Sequence, residues 1–208
     1  MINANGDAMG IISPNNYDKF VPELVSERLM ASIPFASRYR MIDFLLSSMV
    51  GCGIDKIEVL VRENYHSLVD HLGGGREWDL SRKNGGLSIF PPFAQKSIGS
   101  MGGGRVEALA NILPVLKKQK EKYVIMADTN IAANFDFNAL IAQHVKTDAD
   151  ITFAYTKEEL PQELTGAKDA SKGLYYTLKL DGDKVEDIYI NKQEQGVQNF
   201  CMNIYIAD

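Results

Sequence analysis

The sequence predicts an α/β fold in which helices cover both faces of a mostly parallel sheet. Apolar helix patterns and strand patterns alternate through the first 155 residues, as in βαβ units. Two of the strand patterns, Tyr123 to Ala127 and Ile151 to Tyr155, are nearly all apolar, as expected of strands buried on both faces. A third observation sets the end of the chain apart. From Gly173 onward the pattern turns to short strands, with Asp181-Gly182-Asp183 as a hairpin turn between two of them.

The elements follow in order. Met9 to Ile12 is an apolar run closed by Ser13-Pro14-Asn15-Asn16, a strand entering a loop. Met41 to Val50 has helical spacing and stops at Gly51-Cys52-Gly53. Ile54 to Val61 reads as a strand, and Asn64 to Leu72 as a helix stopped by Gly73-Gly74-Gly75. Val106 to Lys118 is a helix expected to break or bend at Pro114, whose ring removes a backbone donor. Phe137 to His144 is a further helix, and Leu174 to Leu180 with Lys184 to Ile190 forms the hairpin. Phe200 to Ile206 is a strand pattern that closes two residues before the chain does, so the 208 residues are expected to be the front part of a longer chain. There is no internal repeat and no linker long enough to divide them.

Composition bounds the class. Lys and Arg total 22 against 27 Asp and Glu, a net charge of −5, with 45% hydrophobic and 24% charged residues. These are globular values and exclude a disordered chain. The acidic balance argues against nucleic-acid binding, which needs clustered cations. Two cysteines, Cys52 and Cys201, exclude a disulfide scaffold and a four-cysteine zinc site. No apolar run reaches the roughly 18 residues of a membrane span, and Asn3, Asn5 and Asp7 interrupt any signal-peptide pattern. The expectation is a cytoplasmic protein.

Ligands of such sheets bind at the carboxyl ends of the strands, so the loop from Asn15 to Glu27 is the first place for a phosphate cradle. It holds no glycine to let a backbone approach phosphate oxygens; Lys19 and, further on, Arg28 are offset by Asp18, Glu23 and Glu27. Gly102-Gly103-Gly104 with Arg105 precedes a helix and reads either as an anion site or as a flexible loop. Trp78 to Asn84 reads either as a recognition segment or as a surface loop pinned by the indole. Asp128, just after a buried strand, is placed to hold Mg²⁺ against a nucleotide phosphate or to cap the turn at Thr129-Asn130. His66 and His71 lie five apart, off the i, i+4 spacing of paired ligands, and His144 is remote, which argues against a histidine metal site. Cys52 reads as a packing residue.

The run RLMASIPFASRYRMIDF, residues 28–44, resembles the RAKPAVPFGGKYRIIDF segment of ADP-glucose pyrophosphorylases (glucose-1-phosphate adenylyltransferases). Leu45 to Val50 with Gly53-Ile54 is similar to that family's LSNCINSGI. His71-Leu72, Trp78 to Leu87 and Pro91-Pro92 resemble HLG, WDLDRKNGGV and LPPY, and Met202 to Tyr205 resembles part of SMGIY. The resemblance implies a Rossmann-like, GT-A-like nucleotide-diphospho-sugar transferase fold. Residues 1–208 would then be an incomplete nucleotidyltransferase domain without the family's C-terminal left-handed β-helix.

The departures carry the functional expectation. The family's GGxGxRL triphosphate loop is replaced by NNYDKFV at about residues 15–21, and Met30 stands where the RAKP lysine would be. GTADAVYQN becomes Gly103 to Asn111, EEKP falls near Asn191 to Glu194, and the metal-binding GD falls near Ala127-Asp128 or Asp128-Thr129. A kept scaffold with lost phosphate groups resembles the GlgD-type subunit, the noncatalytic or weakly catalytic partner of a GlgC-type enzyme. The resemblance therefore implies a regulatory subunit of glycogen synthesis in a hetero-oligomer with a GlgC-type catalytic subunit. The resemblance also implies ATP, glucose 1-phosphate or effectors as candidate ligands and Mg²⁺ as a candidate cofactor. Pocket candidates are Arg28, Arg38, Arg40, Gly103, Gly104 and Arg105, the metal candidate is Asp128, and no catalytic residue is assigned. Two alternatives stand beside this: a competent nucleotidyltransferase using Lys19, Arg28, Arg38 or Arg40, and a sugar-phosphate-sensing module.

Overall fold

The computed structural model describes residues 6–13, 18, 21–61, 64–83, 85–90, 105–164 and 174–208. The described elements are β1 (Ala8–Ser13), α1 (Pro22–Val25), the two-residue strands β2 (Pro34–Phe35) and β3 (Tyr39–Arg40), and α2 (Met41–Gly51). They continue with β4 (Lys56–Leu60), α3 (His66–Leu72), β5 (Gly86–Phe90), α4 (Arg105–Leu116), β6 (Tyr123–Asp128) and α5 (Phe137–Thr147). The last four strands are β7 (Ile151–Glu159), β8 (Tyr176–Asp181), β9 (Lys184–Ile190) and β10 (Val197–Ala207).

All six residues of β1 are buried, which a strand achieves only when helices cover both faces of its sheet. The sheet has the order β5-β4-β1-β6-β10-β8-β9, with β7 also paired to β10. The first four strands are parallel to one another, and β10 turns the direction by pairing antiparallel with β6, β7 and β8. One face packs Ala8 and Ile12 against Leu45, Leu46 and Met49 of α2 and against Phe137 and Ile141 of α5. The other packs Met9, Ile11 and Leu60 against Ile112 of α4. Side chains alternating along β1 therefore fill two separate cores. Burying each such Leu or Ile stabilises by about 1.5–3 kcal/mol.

Several boundaries depart from expectation for local reasons. α4 runs through Pro114 to Leu116 instead of breaking there; in the last turn, a proline removes one bond but leaves few downstream residues to disturb. β7 was expected to be buried on both faces, yet it is longer, and only Ala154 of its nine residues is buried. It pairs antiparallel with β10 rather than joining the parallel strands, so its apolar start does not report a central position. α5 continues past His144 to Thr147 and is opened by Asp136, whose Oδ1 accepts from Ala139 N at 3.0 Å. α3 begins at His66, two residues later than its pattern. The hairpin β8–β9 turns at Gly182, as the Asp-Gly-Asp signal indicates.

β5 and the small β2–β3 hairpin carry no clear strand pattern. β5 depends on its glycine: Gly86 has φ +82°, and a Cβ there would lie 2.3 Å from the Leu80 carbonyl oxygen. The glycine pair of Asn84-Gly85-Gly86 is thus explained by backbone geometry at the start of a parallel edge strand.

Candidate functional site

The parallel strands β1 and β6 end side by side, with Ser13 and Asp128 in register. Ser13 Oγ donates to Asp128 Oδ1 at 3.3 Å, and the Asp128 side chain is wholly buried. Thr129 is buried after it, and the enclosed Oδ1 of Asn130 has no hydrogen-bond partner among the described residues. Asn130 was not singled out from the sequence, where it is only the second residue of a polar turn. Its orphaned amide oxygen belongs to the second residue beyond the carboxyl end of β6.

Asp18 Oδ1 accepts from Met30 N at 3.3 Å, at the head of a 3-10 turn spanning Met30–Ser32. The turn is held by Ser32 Oγ, which donates to the Leu29 carbonyl at 3.0 Å. A carboxylate therefore lies against the backbone of Met30. The same turn also meets a cation, since Arg40 Nη1 donates to the Ser32 carbonyl at 3.5 Å.

The expected cations are dispersed. Arg40 Nη1 donates to Ser67 O at 2.8 Å and Ser67 Oγ at 2.6 Å, tying α2's entrance to α3. Arg38 lies over the Tyr39 ring at 5.6 Å, in the turn between β2 and β3. Arg28 is half-buried ahead of the 3-10 turn. Arg105 opens α4, while Gly103, Gly104 and Lys19 lie outside the described residues. Separate elements thus carry Arg28, Arg38, Arg40 and Asp128.

The segment near Asn191 to Glu194 turns its polar groups inward. Asn191, at φ +50°, accepts through Oδ1 from Tyr175 N at 2.9 Å. Gln193 Nε2 donates to Tyr175 Oη at 2.8 Å and to the Leu164 carbonyl at 3.0 Å, and Tyr175 Oη donates to the Lys192 carbonyl. Burial pushes the Tyr175 phenol above its ordinary value, with the Gln193 bond opposing. Lys192 is held by Glu194 at 2.6 Å and sits over the Tyr189 ring.

The histidines have structural partners. His71 Nε2 lies 2.7 Å from Asp43 Oδ1, while Asp43 Oδ2 accepts from Arg40 N at 2.9 Å. The His71 ring meets Trp78 edge to face, so the indole does pin the segment that follows α3. His144 bridges Thr152 Oγ1 and Asp208 Oδ1. Cys52 is half-buried beside the Phe135 carbonyl.

Mg²⁺ demands near-octahedral oxygen coordination and keeps several waters. Among the described residues no group of three or more His, Cys, Asp or Glu side chains could hold a metal ion. Asp128, enclosed and bonded to Ser13, offers no face to a hydrated cation. The described residues do not fit a resident Mg²⁺.

The nucleotidyl transferase family model matches residues 23–167. The chain is 36% identical over 151 residues to a glycogen biosynthesis protein GlgD of Geobacillus stearothermophilus, covering 71% of this chain and 43% of that protein. It is 29% identical over 194 residues to GlgD of Bacillus subtilis, covering 93% and 56%. A glucose-1-phosphate adenylyltransferase of Clostridium novyi is 32% identical over 185 residues, covering 88% and 46%. The chain spans about half the length of the curated relatives it matches. A crystal structure from Bacillus anthracis, assigned as a glucose-1-phosphate thymidylyltransferase in complex with a sucrose, superposes with a TM-score of 0.68. It covers 97% of this chain and 71% of that one at 14% identity, a likeness of fold. Among the described residues no helix is long and apolar enough to cross a membrane.

Proposed function

The chain belongs to the nucleotidyl transferase family, and from that premise we propose that it is part of a GlgD-type regulatory subunit of glycogen synthesis. In this reading it assembles with a GlgC-type catalytic subunit and modulates formation of ADP-glucose and pyrophosphate from ATP and glucose 1-phosphate, with little or no turnover of its own.

One observation supports it above the others: the Asp18 carboxylate against the backbone of Met30. Attack of a sugar phosphate on the α-phosphorus of ATP relies on positioning and on neutralising charge as pyrophosphate leaves. Met30 offers no charge, and Asp18 offers the wrong sign. Losing one preorganised charge-stabilising group costs about 10²–10³ in rate. Arg40 is held in place through Nη1 by its bonds to Ser67, which positions it for α3 rather than at residue 30. Buried Asp128 keeps Ser13 in place and holds the ends of β1 and β6 together.

The test is a titration of the chain with Mg·ATP, beside the double variant Met30→Lys with Asp18→Asn. The expected result is weak binding by the parent and at least tenfold tighter binding by the variant. Equal affinities in the two would remove the electrostatic basis of the reading.

A further inference from the structure

A groove of about 310 Å³ lies between α2 and the segment after β6, lined by Tyr39, Asp43, Phe44, Ser47, Ser48 and residues 132–134. Its size is at the lower end of small-ligand pockets. The walls are fastened together: Ser48 Oγ donates to the Ala133 carbonyl at 3.4 Å and accepts from Phe135 N at 3.1 Å. Ala132 and Ala133 leave the space that larger side chains would fill.

The lining has a definite chemistry. Tyr39 is 47% exposed, and with Phe35 at 44% it flanks Phe44; ring centroids are 6.3 Å and 5.2 Å from Phe44. Aromatic rings left at a polar-rimmed groove mark a surface that receives something. Ser47 and Asn134 add a hydroxyl and an amide on the same walls. Among the described residues no lysine or arginine lines the groove, and the single charged lining group is the Asp43 carboxylate, which already accepts from Arg40 N and contacts His71. A phosphate inside the groove would face the Asp43 carboxylate, with Arg38 at the Tyr39 ring as a neighbouring cation outside the lining, so the lining itself favours an uncharged ligand.

We propose that this groove binds a neutral carbohydrate, an uncharged glucosyl ring or short glucan end. The apolar C–H face of a pyranose matches the Tyr39 and Phe44 walls, and its rim of hydroxyls matches Ser47 and Asn134. The assignment goes beyond the regulatory reading and is independent of it, because none of the lining residues is assigned there to phosphate handling.

The experiment is calorimetric titration of the chain with maltotriose, with adenosine and glucose 1-phosphate as comparison ligands. Two variants accompany it, Tyr39→Ala to remove a stacking wall and Ala132→Trp to fill the space, each checked for the parent's thermal unfolding. The expected result is saturable maltotriose binding, weakened at least tenfold in both variants. The assignment is overturned by absence of saturable maltotriose binding, by binding retained in either folded variant, or by tighter binding of adenosine or glucose 1-phosphate.

Discussion

At the scale of single residues, the most informative side chains are those whose surroundings contradict their type. Asp18 and Met30 are read together only in the structure, because twelve residues separate a loop carboxylate from the amide that it engages. From the sequence, Met30 and the acidic character of the loop were legible, and the contact of Asp18 with the Met30 amide was not. Glu58 is a second case. It lies within β4, beside Ile11 and Ser88 in the strand register, and only 4% of it is exposed. Its Oε2 has no hydrogen-bond partner among the described residues. Burial pushes its carboxyl above the ordinary value of 4.5, an effect that Ser88 and Lys56 only partly offset. The native state therefore binds this proton more tightly than the unfolded chain does. Its stabilising contribution is complete below pH 4.5 and is lost as pH rises through the elevated native value. Glu58→Gln is expected to stabilise the chain at neutral pH by about 1 kcal/mol, with the gain vanishing toward pH 4. Urea denaturation of both proteins across that range reads the difference directly; parallel curves would remove the desolvation argument.

At the scale of elements, the sequence reveals what periodicity and turn chemistry encode. The alternating helices and parallel strands, the Asp-Gly-Asp hairpin and the helix stops after α2 and α3 all follow from it. What it hides is set by partners distant in the chain. Nothing in Ile151 to Tyr155 distinguishes an outer antiparallel strand from a buried parallel one, because that choice belongs to β10, some fifty residues later. Nor do Gly85 and Gly86 announce β5, since two glycines look like a loop until the Leu80 carbonyl occupies the space a Cβ would need. Gly86→Ala is accordingly expected to destabilise the chain by about 1–3 kcal/mol and to loosen β5 before the other strands. Hydrogen exchange at Leu87 to Phe90 is the measurement, and unchanged protection there would show that β5 does not depend on this backbone.

At the scale of the molecule, the nucleotidyl transferase scaffold is retained, and the proposed regulatory role rests on the reading that its anion-handling groups are altered. The two cores on either face of the sheet and the joined ends of β1 and β6 hold a site's position without supplying its charge. Arg40, which looks like a phosphate ligand in the sequence, is spent on Ser67, and Gln193 is spent on Tyr175. Those roles were not legible because they depend on α3 and on the 3-10 turn spanning Gln162–Leu164 folding against them. The proposed function assigns this scaffold to assembly with a catalytic partner whose response it alters. The most direct measurement is ADP-glucose synthesis by the full-length purified subunit alone and mixed with its GlgC-type partner. The account expects turnover alone to be about 10²-fold or more below the partner's, with changed partner kinetics on mixing; turnover alone at a rate comparable to the partner's would contradict it.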